Sequence, residues 1–198
     1  MTNVKSVLLV GVGGQGTILM SKVLTRGLIA AGYDVKMSEV HGMAQRGGSV
    51  ISQVRFGSEV ASPIIQEGTS DILVSFDKLE ALRWAHLLAK GGKALVNDMY
   101  LVPVTVSSGQ QPAVEDLDGK LAKAFRNAVK IDAARIAGQD AGNPRTMNMV
   151  LAGALSALTP FKEREWLKAL EDILSGPKAK LLEVNKKAFA LGRKAAMG

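Results

Sequence analysis

A glycine-rich segment between an apolar run and a helical pattern constrains the fold of this chain most strongly. Lys5–Val10 is continuously apolar after its first two residues, as expected of a buried parallel strand. Gly11-Val-Gly-Gly-Gln-Gly16 follows at once, and apolar residues then recur at helical spacing until Gly32. Open sheets of parallel strands are built from strand–turn–helix units of this kind.

The first half of the chain repeats the alternation. A helix is predicted over 78–90, between Asp77 as its cap and Gly91-Gly92 as its stop. Further strands are predicted at Val35–Val40, Ser49–Phe56, Asp71–Phe76 and Ala94–Asn97. We therefore predict an α/β fold whose open, mainly parallel sheet carries helices on both faces.

The second half changes character and predicts a helical C-terminal portion. Val102–Pro112 contains prolines and polar residues, which favours an edge strand and loop. Asn143-Pro144 is typical of the start of a helix, here 145–158, whose small residues indicate a close neighbour. The last predicted helix, 178–195, is basic and amphipathic.

Composition excludes several kinds of chemistry. The 198 residues include no cysteine, so the chain cannot form a disulfide, a Cys-ligated iron–sulfur cluster or a cysteine nucleophile. Two histidines without cysteine make a transition-metal site improbable. No self-sufficient catalytic set is recognisable, so we predict no catalytic residue and no metal ligand in this chain.

Charge and hydropathy restrict the partners and the location. The formal net charge is +7, and residues 178–198 carry six basic side chains against one acidic one. A basic end on a nearly neutral body indicates a local contact or a solvated helix face, so we expect no nucleic-acid partner. No apolar stretch is long enough to span a membrane, and Val7–Val10 is too short for a signal peptide, which predicts a cytoplasmic protein without a membrane partner.

The glycine-rich segment is the first candidate site. Gly11, Gly13, Gly14 and Gly16 would let a phosphate approach the backbone at a helix N-terminus. Glu39 stands where a ribose-binding acid would sit in a dinucleotide-binding protein, so an independent NAD(P)-binding oxidoreductase is one hypothesis. A purely structural turn explains the same glycines equally well.

A second candidate is the loop His41-Gly-Met-Ala-Gln-Arg-Gly-Gly48, which we expect near the carboxyl ends of the strands. Arg46 beside Gly47 and Gly48 can present its guanidinium to a carboxylate or phosphate, although a solvated surface arginine is the simpler interpretation. A third hypothesis is a non-enzymatic anion- or nucleic-acid-binding protein that acts through the basic residues of 178–198, although a solvated helix face or a contact with an acidic subunit is the simpler interpretation there. The weaker candidates are Asp77, Asn97 and Asp98, which capping or turn chemistry also explains, and Arg145 and Asn148 near the start of a predicted helix.

Several motifs occurring in order resemble the gamma domain of 2-oxoacid:ferredoxin oxidoreductases. They are Val-Leu-Leu-Val-Gly-Val-Gly-Gly-Gln-Gly (7–16), Gly-Met-Ala-Gln-Arg-Gly-Gly-Ser-Val (42–50), Gln-Val-Arg-Phe (53–56), Asp-Ile-Leu-Val (71–74) and Asn-Met-Val-Leu-Ala-Gly-Ala-Leu (148–155). Within that family, His-Gly-Met-Ala-Gln-Arg-Gly-Gly is characteristic of the beta subunits of the indolepyruvate branch.

The resemblance implies one Rossmann-like gamma-type domain over 1–198, with the C-terminal helices 145–198 packed on it. It also implies an accessory subunit of an enzyme that oxidatively decarboxylates a 2-oxoacid to acyl-CoA and CO₂ and reduces ferredoxin. Thiamine diphosphate and [4Fe-4S] clusters would then belong to a larger partner subunit. Gly11, Gly13, Gly14 and Gly16 would form the glycine loop of the family, and Arg46-Gly47-Gly48 would form the segment that faces the core of the enzyme. The resemblance also associates coenzyme A contact with this domain.

Overall fold

The computed structural model describes residues 4–41 and 47–198, with no side-chain description for His41. The strands are β1 (Lys5–Val12), β2 (Asp34–His41), β3 (Ser49–Gly57), β4 (Ser70–Ser75), β5 (Leu88–Asn97) and β6 (Val129–Ile131). The helices are α1 (Thr17–Ala30), α2 (Lys78–Arg83), α3 (Val104–Ser107), α4 (Leu117–Ala124), α5 (Ala133–Arg135), α6 (Met147–Ser156), α7 (Glu163–Ile173) and α8 (Leu182–Met197). None of the helices in these two segments is both long and apolar enough to cross a membrane.

The six strands form one sheet in the order β2-β3-β1-β4-β5-β6. β1, β4, β5 and β6 pair in parallel, whereas β3 pairs antiparallel with both β1 and β2. β2 therefore runs in the same direction as β1, and the predicted mainly parallel sheet is confirmed. The short connection between β2 and β3 explains the reversal, because a parallel crossover needs a dozen or more residues.

Helices cover both faces of the sheet, as predicted. Val7 and Leu9 of β1 point to one face, where they share a buried cluster with α1, α6, α7 and α8. Leu8 and Val10 point to the other face, which is covered by α2 and α4. All four side chains are fully buried, because a parallel strand between two helical layers has no solvent side.

The helical C-terminal portion is held by a close crossing of α6 and α8. A Cβ atom at Gly153 would overlap the carbonyl of Phe189, and one at Gly192 would overlap the carbonyl of Val150. The small residues of the predicted helix 145–158 thus let two backbones approach where larger side chains would separate them. Trp166 of α7 completes this layer, fully buried and stacked on Phe161.

The predicted helix over 78–90 is wrong in its second half. α2 ends at Arg83, a single 3₁₀ turn covers Ala85–Leu87, and β5 begins at Leu88 instead of Ala94. Pairing of Leu88 with Ser70 of β4 draws this segment into the sheet. Tertiary pairing therefore overrides the helical spacing of the apolar residues.

The edge strand predicted within Val102–Pro112 is also wrong. The described segment there contains the one-turn helix α3, and β2 and β6 form the sheet edges. β6 escapes prediction because it has only three residues, too few to show a strand periodicity. The last helix begins later than predicted, at Leu182, after a 3₁₀ segment over Gly176–Leu181.

Candidate functional site

The glycine loop lies where β1 ends and α1 begins, at the carboxyl edge of the parallel strands. This is the edge at which open α/β sheets bind their ligands. Gly14 and Gly16 adopt φ values of 102° and 89°, which glycine alone reaches without strain. Gly14 faces open space, since a Cβ atom there would meet nothing within 4 Å.

Most donors of this loop are already bound within the protein. The Val12 N–H donates to Oε1 of Gln15 at 2.7 Å, and the Gln15 N–H donates to the Val12 carbonyl at 3.1 Å. The Gly13 N–H donates to the Gly48 carbonyl at 2.8 Å. Within the described residues, the N–H groups of Gly14 and Gly16 have no such acceptor. The loop therefore keeps only part of the anion-binding capacity that its glycines suggest.

Gln15 is a structural residue that the sequence analysis missed. Its side chain folds back over the loop, and its Nε2 donates to the Phe76 carbonyl at 3.3 Å. A Cβ atom at Gly11 would lie 2.8 Å from Oε1 of Gln15, so Gly11 makes room for this amide. The sequence signal that could have identified Gln15 is the presence of one long polar residue inside a glycine-rich turn.

The structure brings the two predicted glycine segments together. Besides the bond from Gly13 to Gly48, the Gly47 N–H donates to the Gly13 carbonyl at 3.3 Å. Gly47 has a φ of 83°, so this contact also depends on glycine. Arg46, the charged residue predicted beside them, lies outside the described residues.

The buried carboxylate of Glu80 holds Ser49, the residue that follows the second glycine segment. Glu80 of α2 is 3% exposed, and Ser49, which follows Gly48, donates its hydroxyl to Oε2 of Glu80. Nε1 of Trp84 donates to Oγ of Ser49 at 3.3 Å, and Arg83 pairs with Oε1 of Glu80 at 3.0 Å. This cluster fixes the start of β3, and nothing in the sequence pattern separated Glu80 from ordinary first-turn acidic residues.

Asn148 contacts the glycine loop from α6. Its Nδ2 donates to the Gly16 carbonyl at 3.4 Å, and a Cβ atom at Gly16 would lie 2.6 Å from Nδ2. Asn148 is 5% exposed, and its Oδ1 has no hydrogen-bond partner among the described residues. Asn148, a weaker candidate of the sequence analysis, is therefore part of the site, whereas Arg145 is exposed and its N–H donates to the capping Asn143.

Asp77 ties two segments together at the same edge. It is 1% exposed, and its carboxylate accepts the N–H groups of Leu79 and Glu80 in α2 and that of Leu101 at 2.7 Å. Asn97 is fully buried, donating to the Phe76 carbonyl and accepting from the Ala133 N–H. Both side chains are occupied with local structure, so neither is left to bind a ligand.

Asp98 is engaged in a surface ion pair. Nζ of Lys78 lies 2.5 Å from Asp98 and 3.0 Å from Asp118. The hydrogen bond to Asp98 is the largest influence that raises the pKa of Lys78, and the bond to Asp118 adds to it while partial burial opposes it. This cluster links the carboxyl edge of the sheet to α4.

Glu39 does not sit as a ribose-binding acid would. Dinucleotide-binding sheets have the order 3-2-1-4-5-6, whereas here β3 lies between β2 and β1. The strand spacing then puts the strand of Glu39 about 10 Å from β1 instead of about 5 Å. Oε1 of Glu39 instead accepts a hydrogen bond of 2.7 Å from Ser21 of α1.

Exposed apolar side chains lie on two segments that leave the carboxyl edge of the sheet. Ile18 in the first turn of α1 is 38% exposed, and Leu101, Val102 and Val104 after β5 are 42%, 54% and 72% exposed. We call these four residues the apolar rim. Exposed apolar side chains at one edge of a sheet are candidates for contact with another protein. Across residues 4–41 and 47–198, no group of three or more histidine and acidic side chains is arranged to hold a metal ion.

This fold and site define a class of protein. The chain belongs to the pyruvate ferredoxin/flavodoxin oxidoreductase family, whose model matches residues 6–195.

Individual members are similar over nearly the whole chain. Indolepyruvate oxidoreductase subunit IorB of Pyrococcus horikoshii is 40% identical over 195 residues, covering 96% of this chain and 95% of the relative. 2-Oxoglutarate synthase subunit KorC of Methanocaldococcus jannaschii is 32% identical, covering 96% and 94%. The crystal structure of the gamma subunit of a keto/oxoacid ferredoxin oxidoreductase from Geobacter sulfurreducens matches with a TM-score of 0.69 and 25% identity over 98% of both chains.

Proposed function

We propose that this chain is an accessory subunit of a heteromeric 2-oxoacid:ferredoxin oxidoreductase, with indolepyruvate or a related arylpyruvate as substrate. In the proposed reaction the 2-oxoacid is oxidatively decarboxylated to acyl-CoA and CO₂, and ferredoxin takes up the electrons. The observation that carries the proposal is the 40% identity to IorB over 96% of this chain.

The residues of this chain do not fit the cofactors of such an enzyme. Without cysteine it cannot supply the thiolates that [4Fe-4S] clusters require. It also lacks a Gly-Asp-Gly motif of the kind that precedes a thiamine diphosphate site. We therefore place thiamine diphosphate, which supplies the decarboxylation chemistry, and the clusters on a larger partner subunit.

The role that we assign to this chain is to close the reaction chamber. The apolar rim and the joined glycine segments lie at one edge of the sheet, and we infer that the partner subunit packs there. Gly11, Gly13, Gly47 and Gly48 shape this surface through the contacts described above. Coenzyme A, if it reaches this chain, would meet the N–H groups of Gly14 and Gly16. We propose a single domain, supported by the core that the sheet shares with α6, α7 and α8, and we propose that the protein acts in the cytoplasm.

The activity test compares the chain alone with the complex. The chain and the candidate larger subunit are purified separately and together, and ferredoxin reduction is followed with indolepyruvate and coenzyme A. We expect activity only in the mixture and none from this chain alone. Turnover by the isolated chain, or tight NAD(P)H binding abolished by Gly13→Val, would contradict the proposal.

A matched pair on α1 tests the interface. Ile18, at the start of the helix, belongs to the apolar rim, whereas Ile29, at the far end, is 57% exposed and outside it. Ile18→Asp should weaken association with the larger subunit at least about tenfold, because it places a charge in an apolar contact. Ile29→Asp should leave association unchanged. Equal effects of the two substitutions would place the interface elsewhere.

A further inference from the structure

A groove of about 880 Å³ lies at the amino ends of β5 and β6, opposite the glycine loop. The eight residues of β1 put roughly 25 Å between the two edges of the sheet. The groove is therefore separate from the carboxyl-edge site, and the inference drawn from it does not depend on the proposed function.

One wall of the groove is a bulge in β5, and the sequence predicts the first residues of this bulge as the end of a helix. Ser70 of β4 pairs with Leu88 and Ile72 pairs with Lys93, so β5 bulges out between these two pairs. Gly92 closes the base of the bulge, since a Cβ atom there would lie 2.9 Å from the Ser70 carbonyl. Gly91, with a φ of 89°, faces open space, so its backbone is accessible from the groove.

Four basic side chains line this groove. Lys90 and Lys93 come from the bulge, Lys123 from the last turn of α4, and Arg126 from the segment after it. No aspartate or glutamate lines the groove, and none of the four cations forms an ion pair within the part of the chain that the structure describes. Lys78 at the carboxyl edge and Lys186 of α8 are by contrast paired with carboxylates.

This arrangement favours the binding of an anion. Four like charges around one depression repel each other, and repulsion is relieved by a ligand that carries at least two negative charges. The dipole of α4 explains the position of Lys123 at its C-terminal end. It does not explain Lys90, Lys93 or Arg126, which lie outside that helix.

Apart from Asn127, the other side chains of the lining are apolar. The larger ones are Leu88, Phe125, Val129 and Leu158. A ligand that fits must therefore combine anionic groups with an apolar or aromatic body. The volume falls in the range of about 300–1,000 Å³ that is usual for small-molecule sites. An acidic protein surface would use the cations but would leave the apolar lining uncovered.

We propose that this groove binds a nucleotide carrying at least two phosphate groups. The phosphates contact Lys90, Lys93, Lys123 and Arg126 and approach the backbone at Gly91, and the base lies on the apolar lining. Arginine and lysine are the side chains best suited to phosphate oxygens, through charge-assisted hydrogen bonds.

Calorimetric titration of the full-length chain, alone and in the complex, tests the proposal with ADP, adenosine and inorganic pyrophosphate as probes. We expect ADP to bind in the micromolar range, and adenosine and pyrophosphate each to bind at least about tenfold more weakly, because each lacks half of the contacts. Coenzyme A, which contains the same diphosphate, is titrated separately to tell a free nucleotide from the larger cofactor. Binding of either one at the groove supports the site.

The variants assign the binding to the groove. Lys93→Ala with Arg126→Ala should weaken ADP binding at least about tenfold. Lys187→Ala with Lys194→Ala removes the same charge from exposed positions of α8 and should leave binding unchanged. All these positions are exposed, and circular dichroism checks that each variant folds.

Three results would overturn the proposal. They are the absence of ADP binding at millimolar concentration, an equal loss in both double variants, and pyrophosphate binding as tightly as ADP. Capture of an acidic protein by the groove, blocked by Lys93→Ala with Arg126→Ala but not by excess ADP, would assign the cations to a protein partner instead.

Discussion

The two edges of the sheet use glycine and charge in opposite ways. At the carboxyl edge the glycine loop is largely closed, because Gln15 and Gly48 occupy its backbone donors and Asp77 caps the neighbouring helix. At the amino edge Gly91 is open, and the four cations of the groove have no ion pair among the described residues, whereas Lys5 nearby pairs with Asp71. A glycine-rich turn after a strand is therefore not by itself an open anion site.

The largest expected change in stability is at Gly16 of the carboxyl edge, and Gly91 of the amino edge, which has the same φ of 89°, is its comparison. Gly16→Ala must tolerate a left-handed conformation and a contact with buried Asn148 at 2.6 Å, which together should destabilise the protein by roughly 3–4 kcal/mol. Gly91→Ala has the same backbone strain and no contact, so about 1 kcal/mol is expected. Denaturant unfolding measures both.

The difference between these two variants is the informative quantity. Equal destabilisation would mean that Asn148 yields without loss, and that the carboxyl edge is less rigid than its contacts indicate. A larger destabilisation by Gly91→Ala than by Gly16→Ala would mean that the amino edge is the more closely packed of the two edges.

The next effect compares two aspartates. Asp77 is 1% exposed and accepts three backbone N–H groups, so Asp77→Ala should cost about 3 kcal/mol of unfolding free energy. Asp71, at the amino edge, accepts from the backbone and hydroxyl of Ser6 but is partly solvated, so Asp71→Ala should cost only about 1 kcal/mol. Thermal unfolding should show the larger drop for Asp77→Ala, and the reverse order would contradict the closed character of the carboxyl edge.

Sequence patterns correctly predicted the structural elements that depend on residues close to them in the sequence. The strands Lys5–Val10 and Ser49–Phe56, the Asp77 cap and the Asn143 cap all depend on neighbouring residues, and the structure contains them. The elements that were predicted wrongly or missed depend on residues far away in the sequence. β5 begins early because Leu88 pairs with Ser70, and Glu80 is important because Ser49 reaches it from another strand.

The candidate site divides in the same way. The sequence placed the glycine segments at the ends of strands but could not show that Gly13 bonds to Gly48, because that contact depends on the direction of β3. The direction of β3 does have a signal in the sequence, since the short connection 42–48 favours an antiparallel pair. The bulge at Lys90 had no such signal, because its residues resemble a helix end.

Gln15→Ala tests the closure of the loop with a smaller effect. Removing the amide leaves the Val12 N–H without its acceptor, which should destabilise the protein by about 2 kcal/mol. The exposed Gln66 is a control, and Gln66→Ala should change stability by less than about 0.5 kcal/mol. Hydrogen exchange at Val12 should accelerate in Gln15→Ala alone, and unchanged protection would refute the role of Gln15.

The smallest effect concerns Lys78, whose pKa is raised above its usual value of 10.5, first by its hydrogen bond to Asp98 and also by Asp118. A raised pKa in the folded state means that the ion pair stabilises the protein below the unfolded-state pKa and that this contribution is lost as pH rises through the folded-state pKa. Both partners are partly solvated, so Lys78→Met should cost less than about 1 kcal/mol at pH 7. The gap in unfolding free energy between wild type and Lys78→Met should persist to about pH 10 and close at higher pH, whereas Lys120→Met, at an exposed position of α4, should show no gap. A gap that stayed constant beyond that pH would mean that the aliphatic stem of Lys78, not its charge, joins the carboxyl edge to α4.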